Sequence, residues 1–180
     1  MRVMDSRELR RRYLAFFQKR GHQIIPSSPL VPENDPTTLF VSSGMQPLIP
    51  YLSGERHPLG KRLANVQLCF RGQGINSDDT WQVGNTRHTT FFEMEGNWSL
   101  GDYFRKEQLT YFFTFLTDEQ DGLGLAPARL YVTVFAGNQN VPKDTESVEV
   151  WQKLFAEKGI RAREGERIWA YGEEKNWWSR

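Results

Sequence analysis

The feature that most limits what this chain can become is a pair of strand-like runs, VQLCFR at 66–71 and RHTTFFEME at 87–95, separated by the stretch GQGINSDDTWQVGNT. Gly, Asn and Asp supply the special backbone angles of turns and compete poorly for places inside regular elements, so the stretch reads as a long connection. Two such runs joined this way predict an antiparallel hairpin. Arg71 closes the first run and Arg87 opens the second, which puts two guanidiniums at the mouth of one hairpin. Converging arginines present fixed forks of donors and suit phosphate. Alternation on the second strand places His88, Thr90 and Phe92 on one face and Thr89, Phe91 and Glu93 on the other. A ring, a carboxylate and a nearby arginine together offer a purine nucleotide a stacking surface, an acceptor for its amino group and charge for its phosphates. A plainer reading stands beside each of these: an arginine at a strand end is commonly a solvated charge, and paired phenylalanines in a strand are commonly core.

The rest of the chain reads as mixed helix and strand. Asp5 is placed to cap a first helix, with Glu8 three residues on as the other half of a box-like pair and Gly21 just past its end. Leu9, Tyr13, Phe16 and Phe17 fall on one helical face, with Lys19 and Arg20 at the favourable end of the dipole. Residues 23–25 read as a short strand stopped by Pro26, 39–41 as another, and 103–116 as a helix with an aromatic repeat at Phe104, Tyr111, Phe112 and Phe115. Residues 130–135 alternate as a strand does. Asp144 or Thr145 caps a last helix that runs to Lys158, and Gly159 ends it. Strands and helices alternate without a regular βαβ rhythm, and no repeat or linker divides the chain. The expected fold class is therefore α+β, an antiparallel sheet flanked by helices in a single domain over 1–180.

Composition narrows the function classes. Lys and Arg total 23 against 22 Asp and Glu, a net charge of +1, so no global electrostatic field marks a nucleic-acid binder and any RNA contact must be local. No apolar run approaches the roughly 18 residues of a membrane span. Cys69 is the sole cysteine, which excludes a disulfide framework or a cysteine-based zinc site within this sequence and suits a reducing compartment.

The stretch CFRGQG…RHTTFFEMEGNWSLGDYF resembles motif 2 of the alanyl-tRNA synthetase family, and GHQIIPSSPLVPENDPTTLFVSSGMQP is similar to that family's N-terminal segment with its class II motif 1. YVTVF and the closing NWW resemble stretches that follow in the same order. The resemblance covers nearly the whole chain. It implies an incomplete class II aminoacyl-tRNA synthetase core that carries motifs 1 and 2, and ATP-dependent activation of alanine followed by transfer to tRNA(Ala). It also implies a cytoplasmic enzyme using ATP with Mg2+, with zinc only in regions that this chain does not contain. Residue by residue, Arg71 resembles the arginine that contacts the α-phosphate and the alanine carboxylate. Arg87 and His88 resemble the pair that closes on the distal phosphates, Phe91 the adenine platform, Glu93 the motif's acid, and Trp178 a wall of the alanine pocket. Met45 matches a motif position whose role the residues do not explain.

Three departures stand out. The family usually carries GKHND in the motif 2 loop, where this chain has GQGINSDD; RHH is replaced by Arg87-His88-Thr89; and the leucine usual after FFEM is Glu95. Motif 3 and the acid expected to hold the alanine amino group would lie downstream of Arg180. Alternative functions are a non-catalytic nucleotide- or tRNA-binding paralogue and one half of a split synthetase completed by a C-terminal chain; self-association is a further possibility.

Overall fold

The computed structural model describes residues 4–32, 38–72 and 88–176, and the chain forms two compact units, Met4–Asp102 and, from Tyr103 on, the remainder. The first begins with helix α1, Ser6–Gln18. The Asp5 carboxylate accepts from the Glu8 backbone N–H at 2.8 Å, which satisfies one of the donors a helix start leaves over. The expected return bond from Glu8 is not made. Its carboxylate accepts from Arg11 and Arg12 instead, each at 2.7 Å, and these hydrogen bonds hold it well below the usual carboxylate range. Gly21, at φ +81°, turns the chain out of the helix in a conformation that side chains resist.

Strand β1, Gln23–Ile24, then pairs in parallel with β2, Arg62–Phe70. Strand β3, Phe91–Ser99, pairs antiparallel with β2 along nine residues, Arg62 opposite Ser99 and Phe70 opposite Phe91. The hairpin is thus present, with each strand displaced toward its far end relative to the expected limits. Residues 39–41 are not a strand. Val41 instead takes two isolated backbone bonds, donating to Leu30 O and accepting from Phe70 N–H, each at 2.8 Å, because the proline-rich approach cannot sustain a ladder. A 3-10 turn, Gln46–Leu48, and the one-turn helix α2, Ile49–Leu52, follow. Each has proline as its second residue, Pro47 and Pro50, and neither shows a periodicity long enough to read from sequence.

The two faces of the hairpin differ. Leu63, Asn65, Gln67 and Cys69 of β2 lie opposite Trp98, Gly96, Met94 and Phe92 of β3, and those four β2 residues are almost completely buried. Asn65 and Gln67 survive there because they are paired. Asn65 Oδ1 accepts from Trp98 Nε1–H at 3.0 Å. Gln67 exchanges two bonds with the Ser28 main chain, at 2.8 and 3.0 Å. The opposite face carries Phe70, Leu68, Val66 and Ala64 beside Phe91, Glu93, Glu95 and Asn97. Helix α1 packs on this face through Tyr13, whose hydroxyl donates to Asn97 Oδ1 at 3.2 Å.

In the second unit, helix α3, Arg105–Thr117, and helix α4, Thr145–Glu157, cover the parallel pair β4, Val132–Phe135, and β5, Ile168–Tyr171. A short helix α5, Glu173–Asn176, follows. Asp144 caps α4, accepting from Ser147 N–H at 3.0 Å. Against the upward push of burial, the Ser147 bonds and Arg105 hold that carboxyl below its ordinary range. Phe113, Trp151, Leu154, Phe155, Val134 and Ile168 form the core. The expected aromatic repeat is only partly inward: Phe104 and Phe112 are exposed, and Phe113 and Phe115 are buried. The helix starts two residues later than expected, and Phe104 stands at its cap. The described sheets are therefore mixed and dominated by the antiparallel pairing of β2 with β3.

His22 is 1% exposed, its ring edge-on to Phe17 at 5.0 Å with Nδ1 bonded to Phe17 O. Burial pushes its pKa below the ordinary histidine value; the Arg62 charge adds to the fall, and backbone acceptors and Asp102 oppose it. A histidine lowered in the folded state binds its proton more readily when unfolded. Its contribution is therefore complete at neutral pH and is lost as pH falls through the ordinary histidine range. Thermal melts at pH 7.5 and 5.5 are expected to show a larger loss of midpoint for the native chain than for His22→Asn. Equal losses would mean that burial of this ring does not govern the acid response.

Candidate functional site

Arg71 continues β2 by one rung: its backbone N–H donates to Thr90 O at 2.8 Å. Opposed residues of an antiparallel ladder project to the same side. The Arg71 side chain thus joins the Thr90 and Phe92 face, and its guanidinium carbon lies 5.3 Å from the Phe92 ring centroid. Its Nε–H donates to the Ser42 carbonyl at 2.9 Å. Among the described residues, its two terminal nitrogens have no acceptor. The side chain is partly buried and fixed at Nε, and no carboxylate pairs with it among the described residues; a guanidinium held in this way suits an incoming anion.

The surroundings explain the aim. Gly44 sits beneath the hairpin face, its N–H directed to Met94 Sδ at 3.2 Å. A β-carbon at Gly44 would meet the Trp98 ring at 3.4 Å. Gly96 leaves room for the same ring, since a β-carbon there would lie 2.5 Å from Trp98 Cζ2. Cys69, beside Arg71, is fully buried; burial pushes its thiol up against a smaller downward effect of the Arg71 charge, so it is a packing residue and not a nucleophile.

The site residues expected from sequence separate into three groups. Arg71 stands at the end of β2, and His88 is exposed three residues before β3 begins. Phe91 and Glu93 point to the opposite face. Phe91 is 51% exposed, and the Glu93 carboxylate is held by Arg10 of α1 at 2.7 Å. Arg87 and Trp178, and the motif 2 loop at 73–86, lie outside the described residues. Ser42, Gln46 and Phe92 belong to the Arg71 side and were not among the expected site residues. Phe92 was legible once the register was known, and SSGMQP was the only sequence sign of the other two.

No group of three or more His, Cys, Asp or Glu suited to a metal occurs among the described residues. No helix of the described residues is long and apolar enough to cross a membrane.

Comparison with known proteins places this geometry. Residues 8–180 match the family model described as tRNA synthetases class II (A). The chain is similar to the alanine–tRNA ligase of Treponema denticola, 50% identical over 171 residues that make up 95% of the chain and 26% of that protein. It is also similar to that of Treponema pallidum, 52% identical over 147 residues, 82% of the chain and 23% of the relative. With that of Rubrobacter xylanophilus it shares 43% over 178 residues, 99% of the chain and 18% of the relative. The chain thus spans about a quarter or less of the length of these curated relatives.

Glu95, on the face that Arg71 does not use, is half-buried and has no hydrogen-bond or ion-pair partner among the described residues. Burial pushes its carboxyl up, the Glu93 charge adds to this, and Arg10 opposes both. A carboxylate raised in the folded state weakens the fold once pH exceeds its unfolded value. Replacing Glu95 with the apolar Leu is expected to stabilise the chain by about 1 kcal/mol at pH 7, with a smaller gain at pH 4. Urea titrations at the two pH values measure this, and a destabilised variant would show that the carboxylate is satisfied.

Proposed function

The chain belongs to the class II tRNA synthetases, and from this we propose that it supplies the ATP- and alanine-binding region of an alanine–tRNA ligase, its two units together forming the N-terminal portion of that catalytic domain. The observation that carries the proposal is the Arg71 guanidinium, anchored by Nε to the Ser42 carbonyl, with no acceptor for its terminal nitrogens among the described residues.

The chemistry asks little else of the protein. An alanine carboxylate is already a nucleophile, so no general base is needed. A carboxylate oxygen attacks the α-phosphorus, the bond from that phosphorus to the bridging oxygen breaks, and pyrophosphate leaves with the electron pair. The protein must hold two anions in line and offset the charge that builds between them. A guanidinium with a free fork does both, touching carboxylate and phosphate at once. Phe92, on the Arg71 side, takes the adenine-stacking role first expected of Phe91. Arg87 and His88 close on the distal phosphates, and Trp178 walls the alanine pocket. Glu93, held by Arg10, orders the hairpin against α1. Mg2+ carried by the ATP phosphates would supply further screening of the triphosphate charge, tRNA(Ala) accepts the alanyl group, and the compartment is the cytoplasm.

In a complete enzyme containing this segment, Arg71→Ala is expected to lower alanine-dependent ATP–pyrophosphate exchange a hundredfold or more, about 3 kcal/mol of transition-state stabilisation. Near-normal exchange would remove Arg71 from the reaction. In the same assay, Phe92→Ala is expected to raise the KM for ATP about fivefold or more, and Phe91→Ala to leave it nearly unchanged. The reverse order would return the stacking role to Phe91.

A further inference from the structure

We propose that Gln46 is a positioning residue for Arg71, acting through the main chain of Ser42; the functional side of this inference rests on the role of Arg71 given above. An arginine at the end of a strand has four side-chain torsions, and ordering them costs conformational entropy. Here the ordering contact is one bond, Arg71 Nε–H to Ser42 O at 2.9 Å, and it is only as firm as that carbonyl. Gln46 holds the carbonyl in place. Its Oε1 accepts from the Ser42 backbone N–H at 2.9 Å and lies 3.4 Å from the Ser42 hydroxyl. Its own N–H donates to Ser43 O at 3.2 Å. Pro47 follows and stiffens the 3-10 turn that Gln46 opens.

The closed turn is also fastened to the hairpin on either side of Ser42. Val41 O accepts from Phe70 N–H, and Gly44 N–H meets Met94 Sδ. Residues 41 and 42 therefore run past the end of β2 as two successive rungs, the first closed by a main-chain nitrogen and the second by the Arg71 side chain. SSGMQP is a collar around the guanidinium, and Gln46 is the clasp. A side chain of this length with an acceptor at its tip is what reaches back four residues to Ser42 N–H. Glutamate preserves the acceptor, methionine preserves only the length, and Ser42→Ala leaves the carbonyl untouched.

The test follows the Arg71 Nε–H resonance in 1H–15N spectra of this chain, assigned by its disappearance in Arg71→Lys. Gln46→Met is expected to move that resonance to the position of solvated arginines and to speed its exchange with water about tenfold. Gln46→Glu and Ser42→Ala are expected to retain it, and backbone amides remote from 41–48 to stay in place in all three. In a complete enzyme, Gln46→Met is expected to lower kcat for alanine-dependent exchange about tenfold with little change in the KM for ATP. It is expected to add nothing in the Arg71→Lys background, which has no Nε–H to position. An unmoved Arg71 resonance in Gln46→Met, or additive losses in that cycle, would overturn the inference. Full exchange in Arg71→Lys with the resonance still coupled to Gln46 would instead sink the role of Arg71 and leave the contact standing.

Discussion

The nine-residue antiparallel ladder of Arg62–Phe70 with Phe91–Ser99 governs the candidate site, because it decides which side chains can act on the same object. Once Phe70 is opposite Phe91, the next rung is fixed, and the side chain of Arg71 must emerge beside Phe92 and away from Phe91 and Glu93. Shifting the register by one residue would invert every one of these relations. The buried polar groups of the Arg71 face help hold that register. Asn65 is paired with the Trp98 indole and Gln67 with the Ser28 main chain, and a slipped strand would break these bonds to buried amides.

That dependence also explains what was legible in the sequence. The elements with local punctuation were readable: α1 from Asp5 and Gly21, α4 from Asp144 and Gly159, and the hairpin from its turn-rich connection. The 39–41 strand failed because an apolar trio says nothing about whether a ladder partner is free, and the prolines before it deny one. Strand β5 at Ile168–Tyr171 went unread because four residues pair with β4 only through a parallel contact distant in sequence. The site divides along the same line. Arg71 was identifiable as a strand-end cation within a motif of a recognisable family. The choice between Phe91 and Phe92 was not, since alternation gives two faces and only the register across a long connection says which of them Arg71 joins.

The two faces of the hairpin therefore have separate duties. On one, Arg10 neutralises Glu93 and Tyr13 reaches Asn97, so helix α1 is docked by polar contacts over a partly apolar surface. On the other, glycines at 44 and 96 and the Trp98 ring bring the 41–48 collar close to the strands. Had Glu93 shared the Arg71 face, a carboxylate would compete with phosphate for the same guanidinium and weaken it as an anion receptor. Placing that acid on the α1 side uses its charge to fix the helix and keeps it off the arginine.

The use of Nε as the anchor follows the same economy of donors. A guanidinium has five N–H groups, and carboxylate or phosphate recognition needs the pairs that diverge from the terminal nitrogens. An ion pair with an acid would have fixed Arg71 as well, but it would have cancelled the charge the reaction needs. A neutral backbone carbonyl bonded to Nε removes rotational freedom and leaves the net charge whole. The acceptor must then be rigid, because a mobile carbonyl would return the entropy that the bond removes. A loop tied back on itself by Gln46 and to both strands of the hairpin meets that need, so the stretch before the hairpin and the end of its first strand make one functional unit although 25 residues of sequence separate Gln46 from Arg71.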